Sequence, residues 1–239
     1  MIAAMRASGR ILLMDIGNSS FLVGRLQDGI LSRVYQGPTS DIVSWLLAQD
    51  QSVYDEVIVS SVVPKVDDQI RGIHKLRLLR SQDIPRLTLQ IDNPDEVGMD
   101  RLVAALGAYD HYQQHCLILD SGTATTFCYV DSDGGYQGGV ILPGLKISSK
   151  ALNQYTGKIP LINVSVQTEL VGKNTRDCVQ IGLYRGTIKL INGLISDFRS
   201  TYPGLKVIGT GGGLDVLRSE LDLDDYDEDL ILKGLALCS

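Results

Sequence analysis

The chain has 239 residues, of which 44% are hydrophobic and 21% charged, and its formal net charge is -6 at pH 7. This composition is typical of a folded globular protein and excludes disordered and fibrous chains. An acidic chain lacks the clustered lysines and arginines that neutralise nucleic-acid phosphates, and no apolar run approaches the roughly 20 residues of a membrane helix. We therefore expect neither a nucleic-acid partner nor a membrane partner.

Four cysteines without C-x-x-C spacing predict buried free thiols in a reducing cytoplasm. Residues 1–10 lack the apolar stretch of a secretion signal, so they are predicted to be an extension before the first strand.

The first half of the sequence predicts a three-stranded meander followed by helices and one further strand. Turn residues Asp28 and Gly29 separate the second and third strands, and Pro64 ends the fourth. The predicted elements are strands at 11–15, 21–26 and 30–35, a helix at 39–48, a strand at 56–63 and a helix at 100–114.

The second half restarts in the same order. Its predicted elements are strands at 117–120, 126–130 and 136–142, helices at 145–155 and 181–202, a strand at 206–208 and a helix at 214–221. Repeated order predicts a duplicated α/β domain, with halves at 1–114 and 115–239 and an active-site cleft between them.

Both halves open with a strand followed by Asp, any residue, Gly and a small polar residue. In the first half the motif is Asp15-Ile16-Gly17-Asn18-Ser19, and in the second it is Asp120-Ser121-Gly122-Thr123, with further hydroxyls at Thr125 and Thr126. One interpretation is a plain hairpin turn in which Asn and Gly supply positive φ. The other is a cradle of backbone N–H groups for a phosphate, with the Asp holding a hydrated Mg²⁺.

A glycine-rich run, residues 209–213, follows the predicted strand at 206–208 and could lie close to a flat ligand such as adenine. Leu214 breaks the G-x-G-x-x-G spacing of a dinucleotide site, and the sequence contains no P-loop motif. A nucleotide would therefore bind by another device.

The segment at 93–101 precedes a predicted helix and has two interpretations. Asp95 or Asp100 could cap the helix, with Arg101 as a solvated charge. Alternatively, Asp100 is a general base for a substrate hydroxyl and Arg101 anchors a substrate anion. Residues 172–175, ending in Thr175, offer a second polar contact near the start of another helix.

Taken together, these motifs resemble the type III pantothenate kinases of the acetate kinase, sugar kinase, Hsp70 and actin superfamily. The matching segments lie in family order at residues 15–19, 98–101, 120–125, 138–144, 172–175 and 210–213. The resemblance implies two RNase H-like halves, each a mixed β-sheet with flanking helices. It also implies phosphorylation of the 4′-hydroxyl of pantothenate by ATP, the first step towards coenzyme A, in a cytoplasmic homodimer.

The resemblance also implies a role for each matching residue. Asp100 would accept the proton, Asp120 would bind a monovalent cation (K⁺ or NH₄⁺), and Asp15 would hold Mg²⁺ through water. Pantothenate would contact Gly98, Met99, Asp100, Arg101 and Thr175. ATP would contact Asp15, Ile16, Gly17, Asn18, Ser19, Ser20, Phe21, Leu22, Thr123, Gly211 and Gly212.

The sequence departs from the family pattern at two positions. Ile91 stands where the family usually has tyrosine, and Met99 replaces a common alanine. Two other functions stay open at this point: a catalytically inactive relative acting as an accessory transcription factor, and a kinase of the same superfamily with another hydroxylated substrate.

Overall fold

The computed structural model describes residues 9–239 and contains two mixed β-sheets with flanking helices. Most of the predicted N-terminal extension, residues 1–8, lies outside the described residues. The α-helices of the described chain are α1 (Ile42–Leu47), α2 (Pro64–Ile70), α3 (Met99–Tyr112), α4 (Leu145–Tyr155), α5 (Thr175–Thr201) and α6 (Leu230–Ala236).

The first sheet is built around a central strand with four consecutive buried apolar residues, 11–14. Burial on both faces explains why this strand reads as a continuous apolar run rather than as an alternating one. The strands are β1 (Arg10–Ile16), β2 (Ser20–Gln27), β3 (Ile30–Pro38), β4 (Glu56–Ser61) and β5 (Leu76–Leu78), in the order β3-β2-β1-β4-β5. The pairs β1–β2 and β2–β3 are antiparallel, whereas β1–β4 and β4–β5 are parallel.

The second sheet repeats this order. Its strands are β6 (Thr88–Leu89), β7 (Cys116–Ser121), β8 (Ala124–Val130), β9 (Gly135–Pro143), β10 (Lys206–Thr210) and β11 (Asp225–Tyr226), in the order β11-β10-β7-β8-β9-β6. Without the added edge strand β6, the order β9-β8-β7-β10-β11 matches that of the first sheet element by element. The predicted fold class, two RNase H-like mixed sheets with helices, is confirmed.

The described chain forms two compact units. The first contains the chain up to Cys116 together with Cys128–Gly138 and Asp229–Ser239, and the second contains Leu117–Phe127 and Gly139–Glu228. Strands β8 and β9 therefore contribute residues to both units. The predicted domain boundary between residues 114 and 115 stays a prediction.

Several elements differ from those expected. The sequence analysis missed α2, β5, β6, β11 and α6. Strand β4 ends at Ser61, two residues before the predicted end, and Pro64 begins α2, a position that suits its fixed φ. The helix predicted at 214–221 is wrong: two short 3-10 helices, Gly212–Leu214 and Arg218–Glu220, occupy this segment. Leu214 and Leu217 are both buried, and their three-residue spacing fits a 3-10 turn as well as an α-helix.

Helices α3 and α6 of the first unit approach each other closely at two glycines. An ideal Cβ on Gly107 would lie 2.6 Å from the carbonyl oxygen of Leu230, and one on Gly234 would overlap the carbonyl oxygen of Val103 and lie 2.6 Å from its carbonyl carbon. Both obstacles are backbone atoms, which cannot rotate away. The close packing of α6 against α3 therefore requires glycine on both helices.

We expect Gly234→Ala to lower the free energy of unfolding by about 1–3 kcal/mol, because overpacking at this crossing would push the helices apart. Thermal unfolding would show the loss as a lower midpoint. Gly193→Ala on α5 is the matched control, since its Cβ would meet nothing within 4 Å and alanine favours the helix. A Gly234→Ala midpoint at or above that of the parent would contradict the close approach.

Candidate functional site

The first predicted phosphate loop is the tip of the β1–β2 hairpin. Ile16 pairs with Phe21, and the N–H of Gly17 donates to the carbonyl of Ser20 at 3.0 Å. The side chains of Asn18, Ser19 and Ser20 are exposed, as a ligand-binding loop requires. Neither Gly17 nor Asn18 has a positive φ, so the expectation that they supply one is wrong for this turn.

Two buried hydroxyl residues that the sequence analysis did not single out support this hairpin. Thr39 Oγ1 donates to the carbonyl of Gly17 at 2.6 Å, and Thr39 N–H donates to the carbonyl of Ser19 at 3.2 Å. Ser60 Oγ donates to Asp15 Oδ1 at 2.9 Å, because the parallel register of β1 and β4 places these residues opposite each other. The loop is thus held from the 3-10 helix Thr39–Asp41, which follows β3, and its carboxylate is held from β4.

The second predicted phosphate loop joins β7 to β8. The N–H of Gly122 donates to the carbonyl of Ala124 at 2.8 Å, which makes a tight connection. The hydroxyls of Ser121 and Thr125 are 3.1 Å apart and buried, so Thr125 serves the loop's own structure rather than a ligand. The side chains of Thr123 and Thr126 are half-buried.

The glycine-rich segment after β10 packs against the end of β7. Gly211 has φ +87°, and an ideal Cβ there would lie 2.7 Å from the carbonyl oxygen of Ser121; one on Gly213 would lie 2.5 Å from the same oxygen. Side chains are excluded at both positions, and Gly211 also needs its left-handed backbone. The second unit therefore brings Asp120 and the glycine-rich segment together.

The predicted general base, Asp100, lies in the first turn of α3. The helix N-cap is Gly98, with no side-chain cap, so the alternative of Asp95 or Asp100 as the cap is wrong. Asp100 Oδ1 accepts a hydrogen bond from the backbone N–H of Arg101 at 2.8 Å. An ideal Cβ on Gly98 would lie 2.5 Å from the same carboxylate oxygen, so the absence of a side chain at 98 lets Asp100 fold back over the helix end.

Burial raises the pKa of Asp100 above its ordinary value of 3.8, although the N–H and the guanidinium of Arg101 act in the opposite direction. The carboxylate is therefore a stronger proton acceptor than an exposed Asp. A base whose pKa moves towards neutrality is better matched to proton transfer near pH 7.

Arg101 is half-buried and not the solvated charge of the alternative interpretation. Its Nε donates to Cys128 Sγ at 3.2 Å, and Tyr136 OH donates to the same sulfur at 3.4 Å. Burial lowers the pKa of Arg101, but Cys128, Tyr136 and Asp100 raise it by more. The guanidinium stays charged at every pH at which the protein folds.

A cavity of about 580 Å³ opens in the first unit beyond the carboxyl ends of β4 and β5, the usual side for ligands in α/β sheets. It borders Gly98 and Met99 but not Asp100 or Arg101, so it includes only two of the four predicted pantothenate contacts in this unit. Asp67 also lines it, and Asp67 Oδ1 is buried without a hydrogen-bond partner among the described residues.

The predicted contact from the second unit, Thr175, is the first residue of α5 and is exposed. The helix is capped by Asn174, whose side chain accepts from the N–H of Asp177 at 3.0 Å and donates to Asp177 Oδ2 at 2.6 Å. This cap begins α5 six residues earlier than predicted and fixes the backbone at Thr175.

Neither predicted cation residue belongs to a ready-made metal cluster: within residues 9–239, no three His, Cys, Asp or Glu side chains could hold a metal together. A single carboxylate such as Asp15 nevertheless fits Mg²⁺ held largely by water and by a bound phosphate. The cysteines in the described chain are free thiols; three are buried as expected, but Cys178 is exposed. In the same range, none of the helices has both the length and the apolarity to cross a membrane.

Solved structures with this fold include a Baf family transcriptional activator from Campylobacter jejuni, with a TM-score of 0.64 and 22% identity over 95% of this chain and 96% of that one. A 2-dehydro-3-deoxygalactonokinase from Sinorhizobium meliloti gives a TM-score of 0.59 and 13% identity over 95% and 97%. At such identities the likeness concerns the fold alone.

Sequence comparison gives the family. A family profile described as type III pantothenate kinase matches residues 11–197. Proteins named type III pantothenate kinase are 33% identical in Syntrophotalea carbinolica, over 95% of this chain and 97% of that protein, and 32% identical in Listeria monocytogenes, over 95% of each. A third, from Hyphomonas neptunium, is 33% identical over 94% and 96%. With this match across nearly its whole length, and with Asp15, Asp100, Arg101 and Asp120 in place, the chain belongs to the type III pantothenate kinase family.

Proposed function

We propose that this protein transfers the γ-phosphoryl group of ATP to the 4′-hydroxyl of pantothenate, the first step towards coenzyme A. The observation that carries the proposal is the placement of a half-buried carboxylate, Asp100, beside a half-buried guanidinium, Arg101, on the first turn of α3. A base for a hydroxyl and an anchor for an anion are what pantothenate, a hydroxy acid, needs from a kinase.

Phosphoryl transfer depends more on positioning and charge neutralisation than on covalent chemistry. Asp100 orients the acceptor hydroxyl and takes its proton late in the step. Gly98, Met99 and Arg101 hold the acceptor beside that carboxylate. Ile91, which replaces the usual tyrosine, is half-buried and offers an apolar contact without a hydroxyl.

ATP is held by main-chain N–H groups of the two hairpins, residues 15–22 and Thr123, and by Gly211 and Gly212 at the adenosine. Asp15, oriented by Ser60, would hold Mg²⁺, and Asp120 would hold K⁺ or NH₄⁺. The two cations supply positive charge beside the transferred phosphoryl group.

We also propose a cytoplasmic homodimer in which Thr175 completes the partner's pantothenate site. The family resemblance suggests this arrangement, and exposed apolar side chains near Thr175 support it: Leu170 is 75% exposed and Val171 is 74% exposed. Exposed apolar surface of this kind favours a protein interface.

The two other functions have weaker support. An inactive regulator has no physical need for a buried base next to an anion anchor, and the transcriptional activator of similar fold is too distant in sequence to carry its function here. An ATP-consumption assay with pantothenate and with several sugars, with and without K⁺, separates the proposed activity from that of a kinase for another substrate. Turnover with a sugar and none with pantothenate would contradict the proposal.

Asp100→Asn should lower turnover by at least roughly 10²-fold, because the amide keeps the shape but cannot accept the proton. In the parent, activity should rise with pH as Asp100 ionises, with a midpoint above its ordinary pKa of 3.8. The residual activity of the variant should lack this acidic limb. A folded Asp100→Asn protein with near-parent activity would remove Asp100 from the mechanism.

The same raised pKa provides a folding control. The stability that protonated Asp100 contributes is present below about pH 3.8 and is lost as the pH rises through the raised folded-state pKa. At pH 7 the buried charge therefore costs stability, and Asp100→Asn should unfold at the same temperature as the parent or at a higher one.

Replacing K⁺ by Na⁺ should lower the activity of the parent, because cation sites discriminate by cavity size and ligand number. Asp120→Ala should remove most activity and, with it, the dependence on K⁺. Asp197→Ala, an exposed carboxylate on α5, is the control and should keep the parent's K⁺ response. Equal parent rates in the two salts would count against the cation assignment.

Mixing nearly inactive Asp100→Ala and Thr175→Ala proteins 1:1 should restore roughly a quarter of the parent activity once subunits exchange. Random pairing makes half of the dimers mixed, and each mixed dimer has one undamaged composite site out of two. Exchange would be verified with differently tagged chains. If exchange is complete and activity stays absent, the two residues do not belong to different protomers of one site.

A further inference from the structure

The buried thiol of Cys128 lies beside the predicted substrate anchor and has no role in the reaction described above. Cys128 is on β8 and is 2% exposed; Tyr136 is on β9 and is fully buried. The sulfur accepts two hydrogen bonds, from Arg101 Nε at 3.2 Å and from Tyr136 OH at 3.4 Å. Three side chains from three elements of the first unit thus meet at one atom.

The contact restrains one edge of the guanidinium and leaves the other edge available. A guanidinium has five N–H donors, and the bond to Cys128 uses only the one on Nε. The two terminal nitrogens of Arg101 make no hydrogen bond or ion pair with any residue in the described range 9–239. A half-buried cation without a carboxylate pair is costly unless a ligand supplies the anion.

Sulfur suits this role because it is a weak acceptor. A carboxylate at 128 would form a bidentate pair with the guanidinium and compete with a bound anion. The sulfur orients Arg101 while leaving its terminal nitrogens for substrate. Tyr136 in turn fixes the sulfur: burial raises the pKa of Tyr136 well above its ordinary value, so its hydroxyl stays protonated and remains a donor.

We propose that Cys128 and Tyr136 are positioning residues that hold the guanidinium of Arg101 in the orientation that binds the carboxylate of the acceptor. This proposal rests on the proposed function, in which the acceptor is pantothenate. Neither residue touches the reacting atoms, so both should act on acceptor affinity rather than on the chemical step.

The test compares Cys128→Ala with Cys128→Ser. Alanine and serine are close in size, but only serine has an oxygen that can accept the hydrogen bond from Arg101. We expect Cys128→Ala to raise the KM for pantothenate about tenfold, the usual effect of losing a hydrogen bond to a charged group. Its kcat and its KM for ATP should stay within about threefold of the parent values, because the substitution is not coupled to ATP binding or to the chemical step. Cys128→Ser should restore the KM to within about threefold. Tyr136→Phe, which loses only the hydroxyl, should raise the KM by less than Cys128→Ala does.

Two further variants separate positioning from a general structural defect. Cys116→Ala removes a fully buried thiol on β7 that donates to the carbonyl of Gln114, so it should lower stability without changing the KM for pantothenate. In an Arg101→Lys background, Cys128→Ala should add less than about threefold to the KM, because residues that act through one another are not additive.

Four results would contradict a positioning role for Cys128. An unchanged KM in Cys128→Ala, equal KM values for the alanine and serine variants, a similar KM rise in Cys116→Ala, or full additivity with Arg101→Lys would each overturn the proposal. If Cys128→Ala does not fold, Tyr136→Phe decides: an unchanged KM overturns the proposal. If the parent does not phosphorylate pantothenate, both the proposed function and this inference are wrong. If the parent is active but Cys128→Ala and Tyr136→Phe leave the KM for pantothenate unchanged, only this inference is wrong.

Discussion

The central constraint in this protein is the pairing of one strand with an antiparallel hairpin partner on one side and a parallel strand on the other. In the first sheet, β1 ends at a hairpin tip on its β2 side and beside the carboxyl end of β4 on the other. This geometry places Asp15 within hydrogen-bonding distance of Ser60 and leaves residues 18–20 of the tip exposed. The second sheet has the same strand order, and Asp120 lies at the end of its central strand. Duplication of the order thus duplicates a loop with a carboxylate at its base.

The first turn of α3, which we propose binds the substrate, depends on a different balance, that of half-buried charge. Asp100 and Arg101 are adjacent, yet their side chains do not form an ion pair; the carboxylate is held by a backbone N–H and the guanidinium by a sulfur. Burial raises the pKa of the Asp100 carboxyl, which is favourable for a base and unfavourable for stability. Such local cost at a functional residue is common in enzymes, whose active sites often give up stability for reactivity.

The sequence predicted much of this arrangement, and its failures have physical reasons. The two hairpins, α3 and α4 were predictable because strong apolar periodicity and turn residues define them locally. The helix α6 was missed because only seven residues form it, and its stability comes from packing on α3 rather than from its own sequence. Ser60, Thr39 and Cys128 could not be assigned from spacing, since each acts through a residue far away in the chain. A polar residue within an apolar strand is the signal that could have identified Ser60.

The packing of α6 against α3 has a consequence for folding during synthesis. The helix that carries Asp100 packs against a segment, Asp229–Ser239, that leaves the ribosome only after Gly139–Glu228 has been synthesised. Domains generally acquire their structure as their residues emerge, so the first unit cannot complete its core until the segment Asp229–Ser239 has emerged. A nascent chain that stalls before residue 229 would expose the glycine-lined face of α3 to chaperones and proteases. An interrupted polypeptide would therefore lack the helix that packs against Gly107 of α3.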